Sequence, residues 1–254
     1  MPLPLAKKAA ILVLLLLFAG TILSPIGGTA ERWQKENQPA FNAATLEDAV
    51  GQGALLGIFG GFRAIMADFA WLRAYLHWEN HDRAACETLM RLSIALDPGN
   101  LFFWRNTADI IAYDMPHWEI ATRRHGGRID LDPAVIKQIS QKYAQRGLDL
   151  YANAVRIFPR QEGALWVQCA LICQFRLNDP RLTADYYRKS AECPTPVWFA
   201  PIAYVNILTK ELGQKNEAAA WLRSHIKKIR SGQYPAQSSA ALDRLETKLR
   251  DIEK

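Results

Sequence analysis

What the chain lacks narrows its chemistry first. Strand signals are scarce, and Ala, Leu, Arg, Lys, Glu and Gln dominate, so helix is the expected state. There is no CxxC pair, which argues against a dithiol redox enzyme. GxSxG, a Walker A loop and a dinucleotide fingerprint are also missing. The glycines at 57, 60 and 61 precede a helix rather than follow a strand, so they offer little to a phosphate. Charge of a single sign is missing too. The net +6 comes from 31 basic residues interspersed with 25 acidic ones, with no aromatic-plus-basic platform or finger motif among them. Nucleic acid is not an expected partner, and an anionic membrane surface suits this balance at least as well. What is present is apolar bulk. Half of the 254 residues are hydrophobic, enough for one elongated domain or two small ones.

The N-terminus points to a compartment. Lys7-Lys8 precede an uncharged apolar run, Ala9 to Ile26. At about 1.5 Å per residue this run just reaches across a bilayer's hydrocarbon. Positive residues stay cytoplasmic, so the rest of the chain is expected outside the cytoplasm. Two readings of residues 1–30 stay open. One is an uncleaved signal anchor in the inner membrane, favoured by the length of the apolar core. The other is a signal peptide cut after Gly28-Thr29-Ala30, which releases a soluble secreted protein. Residues 31–56 read as a polar juxtamembrane spacer, with one helical turn near Thr45–Val50 started by Thr45 and Asp48.

From residue 57 the chain reads as helices in twos. Phe62–Trp78 has apolar residues almost all the way round and is expected to be buried on most sides. The polar knot Glu79-Asn80-His81-Asp82 breaks it. Ala84–Leu96 follows and stops at Asp97-Pro98-Gly99-Asn100. Leu101–Tyr113 is ended by Met115-Pro116. An irregular segment, His117–Asp132, then leads to a long helix from Ala134 to about Phe158, with Asp132 at its cap and Pro133 in its first turn. Gly163–Leu177 pairs with Arg181–Glu192, and Val197–Leu212 with Asn216–Ile229. This helical domain spans 57–232, and 233–254 reads as a charged capping helix.

Helix pairs about 34 residues long and closed by Pro have the spacing of tetratricopeptide (TPR) repeats. The chain resembles that family from about residue 63 to 230. Ala74, Cys86 and Pro98 stand at the family's small, small and proline positions. Trp104 and Ala108 begin a second unit that Gly147, Tyr151, Ala154 and Pro159 complete. The third has Trp166 and Ala170, with Thr183, Tyr187 and Ser190 one residue out of register. The fourth has Gly213, Ala218 and Leu222. The run from Gly60 to Arg73 also resembles the opening of some bacterial membrane-anchored TPR proteins. The fold this implies is all-α: a TPR-like α-solenoid of antiparallel helix pairs behind an N-terminal transmembrane or signal helix.

The resemblance also implies where a partner would sit. In TPR proteins the first helix of each pair lines a concave face that takes an extended peptide or a helix. Carried over, this gives Asp68, Trp71, Tyr75 and Trp78, then Phe102, Arg105, Asp109 and Tyr113, then Gln174 and Phe175, with Lys210 from the fourth unit. Against it stands the plain alternative that the aromatics are core and that Arg105 and Asp109, four apart, pair with each other. Asp68 and Arg63 in an otherwise apolar helix are expected to have partners. His77 and His81 are four apart on one helix edge, but Glu79 between them does not make HExxH, and a polar helix end is the better reading than a metal site. Cys86, Cys169, Cys173 and Cys193 read as small buried hydrophobes, although the compartment would permit disulfides. The basic runs Arg123–Arg128 and Arg223–Arg230 read as a solvated loop and helix face. No cofactor, metal or catalytic set is expected. The expected function is a membrane-anchored scaffold or adaptor that binds a protein partner in the cell envelope. The alternatives are a secreted solenoid and an enzyme on a helical fold.

Overall fold

The computed structural model describes residues 62–125, 127–235 and 238–254. The expected anchor or signal segment (1–30) and the spacer (31–56) lie outside the described residues. Among the described residues no helix is long and apolar enough to cross a membrane. The described chain is all-α.

Helix α1 (Arg63–Glu79) turns at Asn80-His81 into α2 (Arg83–Leu96), whose cap is Asp82 accepting from Ala85 N at 3.2 Å. Asn100 accepts from Phe102 N at 3.1 Å and starts α3 (Leu101–Asp109). The chain then widens into a π turn (Ile110–Asp114) and continues as α4 (Met115–Arg123). Asp132 caps α5 (Pro133–Ile157), accepting from Ala134 N at 2.8 Å. A 3₁₀ turn (Pro159–Gln161) leads into α6 (Glu162–Ile172), which also ends in a π turn (Cys173–Leu177). Asp179 accepts from Arg181 N and Leu182 N, both at 3.0 Å, to open α7 (Pro180–Glu192). The last helices are α8 (Ala200–Lys210), α9 (Lys215–Arg230) and α10 (Ser239–Glu253). Short polar caps followed by Pro in the first turn recur because both satisfy or dispense with N–H groups a helix start cannot bond itself.

The larger contacts run between neighbours in chain order: α1 with α2, α5 with α6, α6 with α7, α7 with α8, α9 with α10. The steps over a neighbour are short, α3 onto α5 and α8 onto α10 among them. Two buried clusters result. One runs from Ala67 to Cys173 and the other from Val167 to Leu245, so α6 faces both. The positions singled out for close approach are buried: Ala74, Cys86, Ala108, Gly147, Tyr151, Ala154, Ala170 and Ala218. A Cβ on Gly147 would come within 2.8 Å of Ala112 Cβ and 3.1 Å of Ala108 O, so α5 meets the α3 ridge only because that side chain is missing. Thr183, Tyr187 and Ser190 are buried as well. The π turn at Cys173–Leu177 holds an extra residue in its ring just before α7.

Three expectations need correction. Helix α1 is not buried on most sides. It buries Ala67, Ala70 and Ala74 against α2, while Phe62, Ile65, Phe69, Leu72, Tyr75 and Leu76 are exposed. The small residues allow close packing on one face, and nothing among the described residues covers the other. Asp68 therefore faces solvent and needs no protein partner, and Arg63 donates to Ala95 O at 3.3 Å. Met115-Pro116 does not end a helix, and His117–Arg123 is not irregular. Pro116 lies in the first turn of α4, where a missing N–H costs no ladder bond. Finally, His81 is not on the helix of His77. The helix stops at Glu79 and His81 takes a left-handed φ of 57°.

Candidate functional site

Aromatic side chains of α1 and α3 meet beside the first π turn. Trp71 packs edge-on to Phe102 with ring centroids 5.2 Å apart and against Phe103 at 5.6 Å. One turn along α1, Tyr75 stacks on Trp78 at 5.4 Å. The Trp78 indole N–H donates to Asp114 Oδ2 at 2.8 Å, which ties α1 to the π turn. Tyr113, in the same turn, has the Arg176 guanidinium over its ring at 5.8 Å, and Arg176 Nη1 lies 3.3 Å from His117 Nε2. Arg176 belongs to the second π turn, so this contact joins the two. The π geometry explains why these groups converge. An i→i+5 turn widens the backbone and shifts later side chains by one position.

Of the eleven positions the TPR resemblance offers, ring contacts join four in two pairs, Trp71 with Phe102 and Tyr75 with Trp78, and the Trp78 hydrogen bond to Asp114 reaches the π turn that carries Tyr113 and follows Asp109. Trp71, Trp78, Asp109 and Tyr113 are half-buried and held by these contacts. Tyr75, Phe102 and Phe175 stand well out, 49%, 51% and 66% exposed. Asp68, Arg105 and Gln174 are exposed, and among the described residues their side chains make no hydrogen bond or ion pair to the face; Lys210 lies apart at the end of α8. Arg105 and Asp109 do not pair. Asp109 instead accepts from Tyr151 Oη at 2.6 Å. Burial pushes the Asp109 carboxyl above its usual range, against the opposing pull of the Tyr151 hydrogen bond and the Arg105 charge. Burial likewise raises Tyr113 to about 12, with Asp109 adding to it, so it stays a neutral donor. Burial lowers Arg176, but an arginine remains charged.

Asp114, His117, Arg176 and Tyr151 were not legible as members. The first two sit where the sequence reads as a helix end and a loop. Arg176 follows Phe175 at once, but it meets Tyr113 across a separation of 63 positions of chain and leaves no local sign.

Other sequence candidates lie elsewhere. His77 Nδ1 is 3.2 Å from Asp82, and His81 stacks on Trp118 at 5.0 Å. Among the described residues no group of three or more His, Cys, Asp or Glu is placed to hold a metal. The four cysteines are free and buried. Burial pushes Cys86 and Cys173 up to about 12, so both are poor nucleophiles. Arg123 of the first basic run donates to Glu119 Oε1 at 2.6 Å. In the second run Arg223 pairs with Glu253 at 2.7 Å. The face therefore offers exposed aromatic rings on a fixed half-buried base, with charges of both signs at its margin, a composition suited to holding another protein. Compared with known proteins, the chain matches no family model and no characterised protein.

Proposed function

We propose that the chain is a membrane-anchored scaffold or adaptor, a TPR-like solenoid of antiparallel helix pairs whose aromatic face binds a protein partner in the bacterial cell envelope. The observation that carries this reading is the exposure of Tyr75, Phe102 and Phe175. All three are large exposed aromatics; Phe102 packs on Trp71 and Tyr75 on Trp78, Phe175 precedes Arg176 in the second π turn, and Trp78 and Tyr113 are held by the Asp114 and Arg176 interactions. Rigid aromatics lose little side-chain freedom on binding and are enriched where interfaces gain most of their energy. The neighbour-to-neighbour contact order favours a stack of pairs, since each pair leans on the next. Lys7-Lys8 and the uncharged run Ala9–Ile26 favour the tether. The reading assigns no catalytic step and no cofactor.

A photo-crosslinking residue in place of Phe102, in the full chain in its native membranes, tests the face. A discrete protein adduct is expected from position 102 and none from Lys142, an exposed position on α5. Equal labelling from both would defeat the reading. For the tether, carbonate-washed membranes are expected to retain the protein. A shortened soluble product would establish the secreted alternative.

A further inference from the structure

The outer side of α1 carries an apolar seam that nothing among the described residues covers. Phe62, Ile65, Phe69, Leu72 and Leu76 follow one another at spacings of three, four, three and four residues and are 42–62% exposed. This is the alternation of the a and d positions of a coiled-coil heptad, with Phe62, Phe69 and Leu76 at a and Ile65 and Leu72 at d. The assignment agrees with the fold. Ala67 and Ala74 fall at f and Ala70 at b, the back of the helix, and these are the residues that α1 buries against α2. The positions flanking the seam carry charges of opposite sign, Asp68 at g and Arg73 at e. Both are exposed, and neither side chain makes an ion pair or hydrogen bond among the described residues. The seam shares an edge with the partner face, since Tyr75, at the next g position, lines the same open groove as Phe69, Leu72 and Leu76.

We propose that a second copy of the chain covers this seam, the two α1 helices packing in parallel and in register. Charge fixes the direction. In a parallel pair each g residue faces the e residue five positions further along the other helix, and Arg73 is five positions on from Asp68. The two-fold axis therefore sets Asp68 of each copy against Arg73 of the other, and the ion pair forms twice. An antiparallel pair sets g beside g and e beside e, so like charges meet. Apolar side chains fill every a and d position of the seam, and pairing removes the whole strip from water. Two heptads are short for free peptides, which must order themselves before they can pair. Helix α1 is already held against α2, so the dimer does not have to supply that order. Parallel packing also sets the N-terminal ends of both α1 helices side by side, which suits the membrane tether proposed above. Two tethered chains meet at a raised effective concentration.

Single-cysteine variants of the full chain, in membranes, test the pairing. In a parallel, in-register seam each a or d residue meets its own counterpart. Ile65→Cys and Leu72→Cys are each expected to give a disulfide-linked dimer on mild oxidation, and Lys142→Cys, exposed on α5, is expected to give none. The four native cysteines are buried and free, so background is low. Adding Asp68→Arg to Leu72→Cys should lower the yield about threefold, and Arg73→Asp on top should restore it. Thermal melts of each variant before oxidation control for folding. These variants leave Tyr75, Phe102 and Phe175 in place, so recovery of a companion protein reads the partner face separately. No dimer from either seam position, or as much dimer from Lys142→Cys, would overturn the proposal. So would a yield that Arg73→Asp does not restore. A fluorophore on Leu72→Cys that spin-labelled lipid quenches, in place of a dimer, would assign the seam to the bilayer and overturn it too.

Discussion

Two buried polar residues set the chain's response to pH. His225 lies in the second core, flat against Trp221 at 4.5 Å and 5.2 Å from Tyr234, with neither ring nitrogen hydrogen-bonded among the described residues. Burial, helped by the Lys228 charge, pulls its pKa from 6.5 down to about 4. Its folded-state pKa is lowered, so the contribution to stability is complete above pH 6.5. Below that the unfolded chain takes up a proton the fold refuses. Stability should fall by about 1.4 kcal/mol per pH unit as pH drops towards 4. In His225→Phe, which keeps the stack, this part of the slope should vanish from urea midpoints measured between pH 8 and 4.5. Glu119 acts in the same direction, at lower pH. It accepts from Arg83 and Arg123, both at 2.6 Å, and from Tyr143 Oη at 2.7 Å. Burial pushes its carboxyl up, but the hydrogen bonds and the arginine charges outweigh that and hold it below its ordinary range. Its stabilisation is present above the unfolded carboxyl pKa and is lost on acidification through the folded one. Glu119→Ala should cost about 2 kcal/mol, less than a fully buried pair because both arginines stay partly in water. A thermal melt near neutral pH should show a Tm lower by roughly 4–8 °C. Neither residue was legible. Glu119 sits in a stretch that reads as irregular, and two of its three partners, Arg83 and Tyr143, come from other helices. His225 sits among cations in a run that reads as a solvated face, and only Trp221 and Tyr234 closing over it make it a core residue.

Helix caps and small residues were the legible part at the level of elements. Asp82, Asn100, Asp132 and Asp179 each open a helix where an Asx side chain before an apolar run says one should start. Gly147 was legible as a place of close approach. Gly147→Leu should drive α5 off Ala108 and Ala112 and cost about 2 kcal/mol or more in chemical denaturation. Gly163 is tighter still, since a Cβ there would lie 2.1 Å from Thr195 O, and its backbone N–H donates to Thr195 Oγ1 at 3.3 Å. Its importance was hidden, because the contact depends on a loop thirty-two residues away. The π turns were hidden too. One extra residue in a helix has no sequence motif of its own. The misreading of Pro116 has the same origin, because a proline ends a helix only where its missing N–H would have been bonded. Helix α1 shows the limit of periodicity. Apolar residues all round say that a helix wants cover, not where the cover comes from.

At the scale of the whole molecule, an all-helical chain in sequential contact follows from the alternation of apolar stripes with Pro-closed turns, whereas the division of the core at α6 appears only in the structure. The partner could not. Tyr75, Phe102 and Phe175 come from three helical segments, and which aromatics stay in water depends on how α1, α3 and the second π turn meet. The proposed scaffold role therefore stands or falls on these three side chains, whose exposure means that removing them should leave the melting temperature within about 2 °C of the parent. The most direct measurement is quantitative co-purification of the full chain from its native membranes, parent against Tyr75→Ala, Phe102→Ala, Phe175→Ala. A specific companion protein recovered with the parent and depleted at least about tenfold with the variant, a loss of 1.4 kcal/mol or more, is the predicted result. Equal recovery of every co-purifying protein, from a variant that melts like the parent, would contradict it.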